Sequence, residues 1–255
     1  MLYLNKSVSP FFYRCCLVRH RLKTLDGVIF MYSFWGDSIL RGVVYDGSRY
    51  SLGRSAVDML AEESGIEGCK NFSRFGMTTQ KAVPLFKKAL PSDLNGNLFL
   101  EFGGNDCDFD WKAVSFEPYA LHLPKTPLSS FIKNMESMIV WAKNAGKTVY
   151  VCSLPPIYAP DYFDFVSRGL SADNILSWLG DVQQIYRYHS RYSRAAENLA
   201  KLHDVKLVNI REEFLSRGDY SSYMCVDGIH PSEKGQRLIW DALKDAISIS
   251  AAIKQ

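Results

Sequence analysis

Short apolar runs that stop at glycine or proline alternate along this chain with longer stretches of helical periodicity. That alternation restricts the fold more than any other feature. The spacing predicts strands over about 28–35, 69–73, 97–102, 147–154 and 205–210. It predicts helices over about 54–64, 79–90, 128–145, 181–203 and 232–247. Strand–helix alternation implies βαβ crossovers and a parallel sheet with helices on both faces. The expected fold is therefore an α/β, three-layer α/β/α sandwich with a five-stranded parallel, flavodoxin-like sheet. No repeat, low-complexity tract or linker divides residues 31–255, which read as one domain.

The first thirty residues do not fit this pattern. They carry Lys6, Arg14, Arg19, Arg21 and Lys23 against Asp26, a balance of +4 in a chain whose net charge is +3. The basic balance thus belongs to this segment, and the body has no basic stripe to suggest a nucleic-acid partner. Arg14 splits the apolar residues Phe11–Tyr13 and Cys15–Val18, so neither piece makes the core of a secretory signal. Residues 1–30 read as an N-terminal extension, disordered or mis-called, with Met31 an alternative start before the first strand. No stretch approaches the roughly 18 apolar residues of a membrane span. The six cysteines form no C-x-x-C and suit neither a zinc site nor a disulfide framework, which favours reduced thiols and a cytoplasmic location.

In a parallel α/β sheet, ligands gather at the carboxyl ends of the strands. Three such places hold polar residues in glycine turns: Gly36-Asp37-Ser38, Gly103-Gly104-Asn105-Asp106 and Asp227-Gly228-Ile229-His230. Phe75-Gly76-Met77 is a weaker fourth. Each alone has a structural explanation. Gly with Asp, Asn or Ser is ordinary turn chemistry, Ser38 suits a helix N-cap, and a single histidine suits capping or packing. Together they supply the parts of acyl transfer: a hydroxyl nucleophile, an imidazole base, a carboxylate to orient it, and an amide donor for an oxyanion.

These motifs resemble those of the SGNH hydrolases, the GDSL esterase/lipase superfamily, over about residues 28–247. Gly36-Asp37-Ser38-Ile39 resembles the first block, Gly76 the second, Gly104-Asn105-Asp106 the third, and Asp227-x-x-His230 the fifth. The resemblance implies Ser38 as nucleophile, His230 as general base and then acid, and Asp227 as its orienter. It also implies an oxyanion hole from the backbone N–H groups of Ser38 and Gly76 with the Asn105 side chain. Ile39 replaces the leucine of the eponymous motif, leaving the nucleophile in place. The expected activity is serine ester hydrolysis through an acyl-enzyme on short acyl esters, such as O-acetylated carbohydrate, with no cofactor or metal. A thioesterase, a lysophospholipase and a non-catalytic binding module are the alternatives.

Asp37, Trp111 and Tyr158 are candidate substrate contacts, although aromatic side chains near long loops also serve as packing. Asp106, Asp108, Asp110 and Glu117 match positions 1, 3, 5 and 12 of a calcium loop, but Trp111 occupies the position of the turn glycine. These carboxylates are expected to shape the loop or face solvent. No phosphate-loop or dinucleotide fingerprint occurs.

Overall fold

The computed structural model describes residues 32–63, 68–90 and 96–252, with the side chains of 249–252 left aside. The expectations about residues 1–30 and Met31, and the 28–31 part of the first predicted strand, lie outside the described residues. Five strands form one parallel sheet in the order β4-β1-β5-β6-β7. They are β1 (Tyr32–Gly36), β4 (Cys69–Asn71), β5 (Asn97–Glu101), β6 (Thr148–Cys152) and β7 (Lys206–Val208). A hairpin of β2 (Val43–Tyr45) and β3 (Tyr50–Leu52) forms a separate antiparallel pair.

Helices α1 (Ser38–Arg41), α2 (Ala56–Glu63), α3 (Thr79–Ala89), α4 (Trp111–Phe116) and α5 (Leu128–Asn144) follow in the first half. The second half holds α6 (Ala159–Val166), α7 (Ala172–Leu179), α8 (Gln184–Leu202), α9 (Ile210–Leu215) and α10 (Glu233–Ala252). Side chains of a strand alternate between faces, and the central strands split accordingly. Trp35, Leu98, Leu100, Val149 and Val151 face α3, α5 and α8. Phe34, Phe99, Tyr150, Cys152 and Val208 face α2, α9 and α10. On that second face Phe34, Phe99 and Tyr150 stack in a ladder across three neighbouring strands, with centroids 4.6 and 4.3 Å apart. A third cluster lies beyond the strand ends, where Phe109 and Val114 meet Ile157, Tyr162, Ile175 and Ile185. It anchors the loop after β5 to α6, α7 and α8.

The structure adds elements that periodicity does not predict. The hairpin strands are three residues each, β2 partly buried and β3 exposed throughout, so neither shows the alternation of a half-buried strand. Helices α4, α6, α7 and α9 have six to eight residues, too few turns for a 3.6-residue pattern to stand out. Each predicted strand and long helix is present with its ends moved by a few residues, as terminal turns fray and capping decides the last residue.

Candidate active site

Gly36 ends β1, and the chain turns at once into the short helix α1. Asp37 is the N-cap, its Oδ1 accepting from Ile39 N–H at 2.9 Å, so Ser38 occupies the first helical position rather than the cap. A side chain at residue 36 would meet the Glu101 carbonyl at 2.8 Å, so only glycine lets β1 and β5 approach here. At the other end, Asp227 accepts from the backbone N–H groups of Ile229 and His230 through Oδ1, at 3.2 and 3.1 Å. Its second oxygen, Oδ2, lies 2.7 Å from His230 Nδ1. A carboxylate buried this way only accepts, so Nδ1 carries the proton and Nε2 is left to accept from the Ser38 hydroxyl, 2.9 Å away.

Gly228 holds this turn against α6. It has φ +69°, and a Cβ would meet the Tyr158 carbonyl at 2.5 Å and the Tyr162 N–H at 2.6 Å. The Tyr158 N–H in turn donates to the Gly228 carbonyl at 2.8 Å. Tyr158 therefore supports the Asp227–His230 turn through its backbone, and its ring packs against Tyr220 instead of lining the cavity.

Asn105 donates from Nδ2 to Asp37 Oδ2 at 3.0 Å, which fixes which end of the amide faces the site. The amide nitrogen has a second proton to offer. Ser38, Gly76 and Asn105 share the wall of one cavity of about 240 Å³ with Asp37 and His230. Gly76 adopts φ +66° with open space where a Cβ would stand. Burial pushes the Asp37 carboxyl up, while the N–H of Ile39 and the amide of Asn105 pull it back toward ionisation.

Several cavity residues are not marked by the sequence as part of the site. Tyr50, on the hairpin, meets the His230 ring edge-on at 5.3 Å, and Phe75 lies parallel to it at 6.2 Å. Phe165 on α6 completes this aromatic wall, and Tyr45 of the hairpin is tied to the segment after α6 by Arg168 Nη1 donating to its hydroxyl at 3.1 Å. Glu101, Asp108, Lys125 and His189 also line the cavity. Trp111 does not. It lines an adjoining crevice of about 20 Å³, room for one water. There its indole N–H donates to Asp108 Oδ1 at 2.8 Å.

The four carboxylates with calcium-loop spacing have separate tasks. Asp106 caps α3 by accepting from the Thr79 N–H and hydroxyl, at 2.9 and 2.5 Å, and burial raises it to about 6. Asp108 accepts from Trp111, from the Tyr162 hydroxyl at 2.6 Å and from Lys125 at 2.7 Å. Asp110 caps α4 through Ala113 N–H, and Glu117 ends the same helix. Among the described residues no group of three or more His, Cys, Asp or Glu side chains is placed to hold a metal ion.

His189, on α8, is buried where the cavity meets the crevice, and its Nδ1 has no hydrogen-bond partner among the described residues. Burial, with the Arg211 guanidinium nearby, pulls its imidazole down to about 3. The unfolded chain takes up that proton near pH 6.5 while the folded one does not. The depressed value therefore stabilises the fold fully above pH ~6.5, and that contribution is lost as pH falls toward 3. Urea midpoints at pH 7.5 and 5.0 should drop less for His189→Asn than for the unsubstituted protein. An equal drop would show that His189 does not drive the acid sensitivity.

The parallel sheet presents a serine, a histidine and an amide at its carboxyl edge, and the family match assigns the class, a carboxylic ester hydrolase. The sequence pattern of the GDSL-like lipase/acylhydrolase family matches residues 34–238, and the chain belongs to that family. A GDSL esterase/lipase of Oryza sativa subsp. japonica is 24% identical over 214 residues, covering 82% of this chain and 74% of its own. A lipase/acylhydrolase from Enterococcus faecalis shares the fold at TM-score 0.62 and 15% identity, over 86% of this chain and 95% of its own. A mutant acetyl-xylooligosaccharide esterase from Geobacillus shares it at TM-score 0.58 and 17% identity, over 86% and 95% of the two chains. Among the described residues no helix is long and apolar enough to cross a membrane.

Proposed function

We propose that the protein hydrolyses short acyl esters, acetyl esters of carbohydrates first among them, through an acyl-enzyme on Ser38. The observation that carries this reading is the continuous chain from Ser38 Oγ to His230 Nε2 and from His230 Nδ1 to Asp227 Oδ2, at 2.9 and 2.7 Å. Ser38 Oγ attacks the ester carbonyl carbon as its proton passes to His230 Nε2. The imidazolium is stabilised by Asp227 and returns the proton to the leaving alcohol oxygen as the C–O bond breaks. Water then repeats the sequence on the acyl-enzyme: His230 takes its proton, the acid is released, and Ser38 regains its hydrogen. The second amide proton of Asn105, with the N–H groups of Ser38 and Gly76, is the donor set for the oxyanion.

Two observations support a small acyl group and a sugar alcohol. The cavity is about 240 Å³, with Ile39, Leu154 and Pro155 among its apolar walls. Beside His230, where the leaving alcohol departs, Tyr50 and Phe75 are 39% and 58% exposed, so their rings are open to stacking by a sugar. The acetyl-xylooligosaccharide esterase activity of one structural relative points the same way. Steady-state hydrolysis of p-nitrophenyl acetate, p-nitrophenyl octanoate and acetylated xylo-oligosaccharides tests the reading. The acetyl substrates should show the higher kcat/KM. Faster octanoate turnover, or preference for an acyl thioester or lysophospholipid, would overturn it.

A further inference from the structure

Glu101 is the last residue of β5, directly beside Gly36 of β1 in the sheet register. It is 1% exposed, and it reaches the floor of the active-site cavity together with Asp37. Neither of its carboxyl oxygens has a hydrogen-bond partner among the described residues. The ionisable groups facing it are Asp37 from the turn after β1, Asp106 from the loop after β5 and the Cys152 thiol from β6, all acidic. His230 lies beyond Asp37 and acts on that carboxylate.

Two carboxyl groups side by side in a buried site do not both ionise. Their partners decide which keeps the proton. Asp37 accepts from Ile39 N–H on one oxygen and from Asn105 Nδ2 on the other, both contacts that favour the anion. Glu101 has only the nearby Asp37 backbone N–H drawing it toward ionisation, and burial together with the Asp37 charge outweighs it and pushes the group well above the usual carboxylate range. A proton on Glu101 turns a repulsion between two acceptors into a hydrogen bond.

We propose that Glu101 is a positioning residue: as a neutral carboxylic acid it donates to the Asp37 carboxylate, which holds the Asn105 amide in the direction that meets the oxyanion. Glu101 thus acts three hydrogen bonds away from the reacting carbonyl. The proposal rests on the esterase reading above and adds a residue to it. An ionised Glu101 would push the Asp37 carboxylate away and release Asn105. Glutamine at 101 keeps a donor for Asp37, whereas leucine removes it.

The test is a kcat and KM comparison on p-nitrophenyl acetate for the unsubstituted protein, E101Q, E101L, N105A and E101L/N105A, with infrared spectra of the unsubstituted protein and E101Q. E101L should lower kcat about 10-fold with KM nearly unchanged, as expected when an oxyanion donor is partly misaligned. E101Q should stay within about 3-fold, because the hydrogen bond to Asp37 survives. In the N105A background, E101L should add less than about 2-fold, since the two act through one contact. The C=O stretch of a protonated carboxylic acid should be present in the unsubstituted protein and lost in E101Q, a readout that does not depend on E101L folding. An E101L loss of equal size in the N105A background would overturn the proposal, as would an unchanged kcat in E101L or no acid band assignable to Glu101. Failure of the esterase reading looks different. The unsubstituted protein would then not turn over p-nitrophenyl acetate, while the acid band would still report on Glu101; full activity in N105A with ester turnover intact removes the contact Glu101 serves and overturns the proposal.

Discussion

Ser38→Ala and His230→Ala are each expected to lower kcat by roughly 10⁶, and the double variant should be little worse than either single one. The reason lies in the geometry. The Ser38 hydroxyl is a weak nucleophile until a base takes its proton, and among the described residues the imidazole nitrogen at hydrogen-bond distance from it is His230 Nε2, at 2.9 Å. Removing either partner ends the same proton transfer, so the second deletion has nothing left to remove. Ser38 is buried and its hydroxyl faces His230, so alanine leaves little void, and the midpoint of thermal unfolding should hardly move. Asp227→Asn should cost less, about 10⁴ in kcat, because the imidazole and nucleophile remain. Single-turnover and steady-state rates on one activated acetyl ester measure all four variants. Losses that add in the double variant would mean that the two residues serve different steps.

Asn105→Ala is the second large effect, expected at ~10²–10³ in kcat with KM nearly constant. A donor aimed at the oxyanion binds the tetrahedral species more strongly than the planar ester, so its loss appears in turnover and not in substrate binding. One amide proton of Asn105 is committed to Asp37 at 3.0 Å. The other is the donor that the proposed mechanism aims at the oxyanion. Alanine also leaves the buried Asp37 Oδ2 without that partner, which should lower stability by about 1–3 kcal/mol. Asn105→Asp keeps the size of the side chain but brings an acceptor toward both Asp37 and the oxyanion, so it should lose turnover and stability together. A variant with KM raised and kcat intact would place Asn105 in ground-state binding.

The parts legible in the sequence are those written locally. β1 ends in Gly36 and β5 is followed by Gly103-Gly104 because the chain must turn sharply there, and turn chemistry is visible in a few adjacent residues. Asp227 and His230 are three residues apart, and the hydrogen bonds that join them close within one turn. The long amphipathic helices α5 and α8 announce themselves by periodicity over 17 and 19 residues. The strand order β4-β1-β5-β6-β7 is set by long-range pairing and has no local signature.

The cavity walls were less legible for the same reason. Tyr50 reaches His230 through a hairpin whose strands are too short and exposed to show a pattern. Lys125 and Asp108 pair across a loop that periodicity leaves blank. Glu101 reads as one more residue of an apolar strand, and only the register with Gly36 brings it beside Asp37. Trp111 and Tyr158 are visible as aromatic residues near strand ends, but composition carries no direction. One faces the crevice and the other packs on Tyr220.

Labelling with an alkyl fluorophosphonate tests the central claim most directly. The phosphorus is attacked by a serine oxygen whose proton has a base to receive it, and fluoride departs. The account predicts one adduct per chain, located by peptide mapping at Ser38, absent in Ser38→Ala and slowed by several orders of magnitude in His230→Ala. Unchanged labelling after loss of His230, or an adduct on another serine, would contradict it.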